Sequence, residues 1–444
     1  MTDEPDGTSV ERRLQDVLTV RRHTSDFGRT WEDRAWRREV LERSRSARTL
    51  LPELPQVDIL ERPEEDYLVG VGELLIRADA YDGLAQRLAE AAGFCAEPMD
   101  CLRDRVIRLV RSGTRAGDLA EAADRLRERG VPVTFNFVPP MAVVIKSQGG
   151  PEPAARNWPP HQPASVPSRI RVAIVDTGVT DQKRNDGWLD GLANPDNIDP
   201  LYANPEAAQA DRRLDAAGGH GTSVAGIIQH EAPSATLAMH AAVPPDGSAL
   251  ESTIACAMVG AVKEGFDAGQ DVVLNLSLGT TTTDDEPPVA LQAALDLIEE
   301  MAAEQRRDVL VVAAAGNYGD ARPVWPAALR GVVAVGALTQ QMTPAPWSSR
   351  GPWVDCAVLG DGVLTIYVEG TEDPFFDTDP DTFLADSFAL QFGTSFAAPQ
   401  VAGRVAYVAE EEKVSLRQAL ARVFAGARRI PDLGRVVEVQ APIG

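Results

Sequence analysis

Cysteine and histidine are scarce in this chain of 444 residues, with four of the former and five of the latter. No His or Cys spacing resembles a zinc site, so metal catalysis is not indicated. Cys95, Cys101, Cys256 and Cys356 are scattered, and the apolar surroundings of Cys256 and Cys356 predict buried thiols in a reducing compartment. Long apolar runs are missing too, and none reaches membrane-spanning length. The acidic, polar start MTDEPDGTSVERR has no apolar core of the kind a signal peptide requires, so a cytoplasmic protein without membrane contact is expected. Basic residues are in deficit, 43 Lys and Arg against 66 Asp and Glu, a net charge of −23. That balance argues against a nucleic-acid partner and gives a mild attraction for basic substrates.

An apolar fraction of 44% is ordinary for a globular protein, and the length exceeds that of one typical domain, so two are expected. There are 28 acidic and 24 basic residues before Arg169, so most of the net negative charge falls on the part that follows.

That second part carries four separated motifs. VAIVDTG surrounds Asp176, GGHGTSVAG surrounds His220, VVAAAGN ends at Asn317, and GTSFAAPQVAG surrounds Ser395. The β-branched run Ile170 to Val175 predicts a buried parallel strand that delivers Asp176 at its carboxyl end, where open α/β sheets place their sites. A carboxylate there can orient a histidine. His220 opens a segment whose Gly221, Ala225 and Gly226 suit a closely packed helix. Ser395 precedes a helix-compatible run, Phe396 to Glu412, so its oxygen should stand near the positive helix end. Pro399 cannot donate to the carbonyl four residues back, which is that of Ser395, so the turn around the serine should be loosened. Asn317 ends the strand-like run Val309 to Ala315 and can offer a side-chain N–H to an oxyanion. Nucleophile, base, orienting acid and oxyanion donor are all present.

At these residues the chain resembles the subtilisin-like serine proteases, and the order Asp176, His220, Ser395 matches that family rather than the chymotrypsin or α/β-hydrolase orders. Asn275 to Gly279, NLSLG, looks like the family's strand lining the substrate channel, which implies substrate contacts from Ser277, Leu278 and Gly279. Ala314, Ala315 and Gly316 look like the opposite wall. SSRGP, Ser348 to Pro352, matches a turn of the family, and Gly316 to Ala327 is similar to the proteinase K branch. The resemblance covers Arg169 to about Arg429. It implies a doubly wound, mostly parallel α/β sheet and a serine endopeptidase acting through an Asp–His–Ser triad on peptide or protein substrates. Sedolisin-type peptidases use a Glu where His220 stands, which argues against them. A peptide-binding relative that has lost turnover is the alternative, and the intact residues at all four positions speak against it.

The other histidines read differently. His240 lies in a strand-like run as a core or channel residue, His230 sits where it can bond the last carbonyls of the His220 helix, and His23 and His161 fall in polar, mobile segments. Two insertions depart from a minimal subtilisin. One, Thr180 to Gly218, separates acid from base. The other, Glu369 to Ser387, carries Glu372, Asp373, Asp377, Asp379, Asp381 and Asp386 just before the nucleophile, and reads as a flap attracting Arg or Lys, a calcium loop, or a solvated loop. Calcium aside, no cofactor is indicated.

Four segments are expected along the chain. Residues 1–65 form a helical segment, with one helix around Val10, Leu14, Val17 and Leu18 and another over Trp31 to Arg48. Residues 66–146 form a small α/β domain of ferredoxin-like kind. Its strands are expected over Leu68 to Arg77, Arg105 to Arg111, Val131 to Phe137 and Met141 to Lys146, and its helices over Asp82 to Ala92 and, capped by Asp118, to Arg129. Residues 147–168 form a Pro- and Gly-rich linker, extended and exposed, and 169–444 the peptidase domain. Subtilisin propeptides resemble the small domain, but its size favours a permanent accessory domain over a removable propeptide.

Overall fold

A computed structural model of the chain describes residues 34–49, 54–63, 65–139, 151–162, 168–202, 213–375 and 379–439. The helix expected around Val10 to Leu18, the strand expected over Met141 to Lys146, and Asp377 lie outside these.

The first elements are α1 (Arg34–Thr49), β1 (Val57–Glu61), β2 (Asp66–Arg77), α2 (Gly83–Ala91), β3 (Cys95–Pro98), β4 (Val106–Val110), α3 (Ala116–Arg127) and β5 (Thr134–Phe137). The strands β5, β2, β4 and β3 lie side by side, every pair antiparallel, and β1 joins the first half of β2. Asp82 caps α2 by accepting from the N–H groups of Leu84 and Ala85, and Gly93 leaves the helix at φ +84°. The cap expected at Asp118 is elsewhere. Helix α3 starts at Ala116, and the Asp58 carboxylate of β1 takes the Ala116 N–H at 2.9 Å. A strand 58 residues away thus does the work for which a local side chain was sought.

The chain continues with β6 (Glu152–Pro153), β7 (Ile170–Asp176), β8 (Arg213–Leu214), α4 (His220–Glu231), β9 (Thr236–Ala241), α5 (Glu251–Asp267), β10 (Asp271–Leu276), α6 (Val289–Gln305), β11 (Val309–Ala314) and β12 (Val332–Leu338). Then follow β13 (Cys356–Leu359), β14 (Asp361–Ile366), β15 (Gly370–Glu372), β16 (Thr382–Phe383), β17 (Phe388–Phe392), α7 (Thr394–Glu412), α8 (Leu416–Val423), β18 (Arg429–Ile430) and β19 (Gly434–Val436). Eight of these strands make one sheet in the order β18-β19-β13-β12-β11-β10-β7-β9, parallel except for the terminal β18–β19 pair. Contiguous β-branched runs suit strands covered on both faces. Helices α5 and α6 cover one face and α4, α7 and α8 the other, each through its own apolar cluster. Chain order reverses around β7, so the carboxyl ends of β7, β10 and β11 open on a crevice at a switch point.

The N-terminal sheet rests on the outer side of α5 and α6, where Leu75, Leu102 and Val106 enter the same apolar cluster as Ile254, Met258 and Leu297. Cys101 is joined there to Cys256 of α5, with 5.4 Å between their Cα atoms. Cys256 is therefore not the free thiol expected; its partner stands 155 residues earlier, where no local pattern could reveal it. Cys356 is a buried thiol, and burial pushes its ionisation well above the ordinary range. The described half of the linker is extended but not loose. Strand β6 pairs with β17, and Trp158 stacks on His230 and packs edge-on against Phe388.

Candidate active site

Strand β7 carries Asp176 to the crevice, and the carboxylate is pinned there by the Thr177 N–H at 2.7 Å. His220 is the first residue of α4. Gly219 precedes it at φ +81°, a conformation that favours glycine, and a Cβ on Gly221 would stand 2.2 Å from the Gly178 carbonyl oxygen. Only glycines let this turn lie so close to the DTG strand end. The result is a 2.9 Å contact between His220 Nδ1 and Asp176 Oδ1, both buried. A proton on Nδ1 faces the carboxylate, which leaves Nε2 as the basic nitrogen. Nε2 is buried and has no hydrogen-bond partner among the described residues.

Ser395 is the second residue of α7, after Gly393 at φ +138°. Its hydroxyl donates to the Ser277 carbonyl oxygen at 3.1 Å, and the hydrogen bond to His220 Nε2 that proton transfer would use is not formed here. Such contacts commonly tighten only when substrate is bound. The Ser395 carbonyl, released from helix bonding by Pro399, accepts the Ser277 hydroxyl at 2.7 Å. Asn317 stands beside this turn. Its Oδ1 accepts the Thr394 N–H and hydroxyl, both at 3.0 Å, which turns Nδ2 to the other side. Phe396 flanks His220 with ring centres 5.0 Å apart. The four residues found in separate motifs thus converge, with Ser395 0%, His220 7% and Asn317 7% exposed.

Asp199 was not singled out by sequence reading. It accepts from the Thr177 hydroxyl at 2.7 Å, the Leu201 N–H at 2.8 Å and the Gly219 N–H at 2.9 Å, while Thr177 Oγ1 accepts the Gly221 N–H at 3.1 Å. One carboxylate therefore ties the strand that delivers Asp176 to the turn that delivers His220. Burial pushes its ionisation up to about 6 against these hydrogen bonds, and the neighbouring Asp176 charge adds to the rise. An aspartate before proline in a polar insertion offered no signal of this.

The expected channel residues flank Ser395 and Asn317. Ser277 touches Ser395 as described, Gly316 donates its N–H to Thr394 Oγ1 at 3.0 Å, and Gly279 and Gly316 both border Val324. Ala314 ends β11 on the face covered by α4 and α7, while the side chains of Leu278 and Ala315 point into apolar clusters. These three have only their backbones to offer a substrate.

His23 lies outside the described residues, and the other three histidines stand apart. His230 stacks on Trp158 and faces Glu231 rather than bonding helix carbonyls, His240 lies 3.6 Å from Glu264, and His161 packs on Trp188. In the acidic insertion, Asp373 pairs with Arg43 of α1, Glu372 is buried and takes the Asp381 N–H, and Asp386 binds Asn185. Among the described residues no three His, Cys, Asp or Glu side chains cluster closely enough to hold a metal ion, and no helix is long and apolar enough to cross a membrane.

Comparison with known proteins bears on the same stretch. The model of the subtilase family, Peptidase_S8, matches residues 168–422. The thermophilic serine proteinase of Bacillus sp. (strain AK1) is 29% identical over 258 residues, which cover 56% of this chain and 55% of that protein. The chain thus spans little more than half of that relative. Subtilisin BL of Lederbergia lenta is 29% identical over 261 residues, 56% of this chain and 80% of that one. A solved structure described as a lanthipeptide protease shares 27% identity, with a TM-score of 0.46 over 61% of this chain and 85% of that chain.

Proposed function

This chain belongs to the subtilase family, and from that premise we propose that it is a serine endopeptidase working through an acyl-enzyme. Ser395 attacks the scissile carbonyl. His220 Nε2 takes its proton and returns it to the leaving amine, while Asp176 holds the imidazole in the required tautomer. Asn317 Nδ2 and the Ser395 N–H receive the oxyanion. The observation that carries this reading is the buried 2.9 Å contact of His220 with Asp176 beside a serine at a helix N-terminus and an asparagine whose Oδ1 is already committed. A fluorophosphonate probe should label wild-type protein and not Ser395→Ala, and a peptide library should be cut by the former alone. Peptide hydrolysis equal in both would remove the assignment.

The 66–146 segment reads as a ferredoxin-like accessory domain that stays in place on the 169–444 peptidase domain. Support comes from its ties to the body, the Cys101–Cys256 disulfide and a 2.9 Å bond from Asn136 to Ser252, and from those of the segment before it, the Arg48–Asp246 pair at 3.0 Å and the Arg322–Glu65 pair at 2.6 Å. Such ion pairs, buried at Arg48 and partly exposed at Arg322, add little net stability but favour one docked geometry. Residues 1–65 read as the segment before it, of which α1 contributes Arg48; it is not helical throughout, since β1 pairs with β2. A preference for basic residues at positions flanking the cleavage site is supported by the acidic insertion, whose Asp373 and Phe375 already hold one guanidinium, that of Arg43.

A further inference from the structure

The residue whose carbonyl Ser395 attacks must lay its side chain between the walls that lead to Ser395 and Asn317. One wall is Ser277 to Gly279, continuing β10; the other is Ala314 to Gly316, continuing β11, its parallel neighbour. Space between them is limited by Val324. A Cβ placed on Gly279 would stand 2.7 Å from Val324 Cγ1, and one placed on Gly316 would stand 3.0 Å from both Val324 methyl carbons. Both methyl groups therefore rest against the glycine backbones, and both wall positions are glycine because the room of a side chain is already taken.

Val324 is also fixed in place. It is fully buried, and the next residue, Trp325, bridges to the first wall through Thr280 N–H to Trp325 O and Trp325 N–H to Thr280 O, both 2.8 Å. A β-branched side chain on so anchored a backbone has few rotamers to choose from and cannot swing aside. We propose that Val324 is a specificity-determining residue that closes the space between the two walls, so that the residue donating the scissile carbonyl must be Gly, Ala or Ser. This rests on the peptidase reading above and names its substrate class.

The test is cleavage-site sequencing and kcat/KM on peptides that differ only at that residue, for wild type, Val324→Ala and Val324→Gly. The milder Val324→Ala keeps the test open if the glycine variant folds poorly. Active sites are counted by fluorophosphonate labelling, which reads Ser395 independently of side-chain selection. Wild type should favour Ala over Leu or Phe by about a hundredfold, and each variant should narrow that gap, Val324→Gly by about tenfold or more. Preference for large side chains in labelled wild type, or an unchanged profile in both labelled variants, would overturn the assignment of Val324 while leaving the peptidase standing. Absence of both labelling and cleavage in wild type would overturn both.

Discussion

Ser277 and Ser395 hold each other reciprocally: the Ser395 hydroxyl donates to the Ser277 carbonyl at 3.1 Å, and the Ser277 hydroxyl donates to the Ser395 carbonyl at 2.7 Å. The second bond exists because Pro399 has no N–H to offer that carbonyl. The end of β10 and the turn bearing Ser395 are thereby one unit, and a change at Ser277 should be felt at Ser395.

Ser277→Ala keeps the first of these bonds and removes the second, together with the 3.0 Å bond that Asn275 Nδ2 donates to the Ser277 hydroxyl. Denaturant unfolding should show a loss of about 0.5–1.5 kcal/mol for each bond removed. Fluorophosphonate labelling of Ser395 should slow without disappearing. Wild-type values for both would mean the reciprocal pair has no role in holding the turn.

Asn317→Ala should lower kcat by about a hundredfold to a thousandfold with KM nearly unchanged, since the donor is needed mainly in the transition state. Thr394→Val, which removes the hydroxyl donor to Asn317 Oδ1 and the acceptor of the Gly316 N–H while keeping the backbone donor, should show the same signature more weakly. A rise in KM alone would make Asn317 a wall residue only.

Glu251 opens α5 beneath β5, with its carboxylate accepting the Ala290 N–H at 3.1 Å. Burial pushes its ionisation up to about 8 from an ordinary 4.5, against the pull of the Ala290 and Phe137 N–H groups. Between these values the folded protein keeps a proton that the unfolded chain has released, so stability should fall as pH rises and level off above about 8. Asp199 adds a decline that ends near 6. Unfolding free energies of Glu251→Gln, measured from pH 5 to 8.5, should lose the fall between about 6 and 8; a slope identical to wild type would contradict the burial argument.

Wild-type protein and Ser395→Ala should both remain full length on prolonged incubation, as a permanent accessory domain requires. If wild type alone is cut within Ser147 to Ser168, the N-terminal part is a propeptide. In that case the Cys101–Cys256 bond should keep the fragments together on a denaturing gel until reductant is added.

Neutralising Asp379 and Asp381 together to Asn should shrink the preference for peptides with flanking Arg or Lys, and the difference should fade as salt is raised. An unchanged cleavage profile at low salt would make the acidic insertion a calcium loop or a solvated surface, and sensitivity to a chelator would separate the two.

What this chain's sequence determined by itself is whatever one stretch encodes in its own pattern. Buried parallel strands need contiguous β-branched runs, so β7 and β11 were legible, and with them the placement of Asp176 and Asn317. The glycines around His220 and the small residues after Ser395 announced close packing, and Pro399 announced a released carbonyl. Partners chosen across the fold left no such trace. Asp58 caps α3, Asp199 ties Thr177 to Gly219, Cys101 finds Cys256, and Val324 fills the room left by Gly279 and Gly316. Each of these contacts joins residues from different segments. Periodicity states which face of an element is buried, but only the folded chain decides what that face meets.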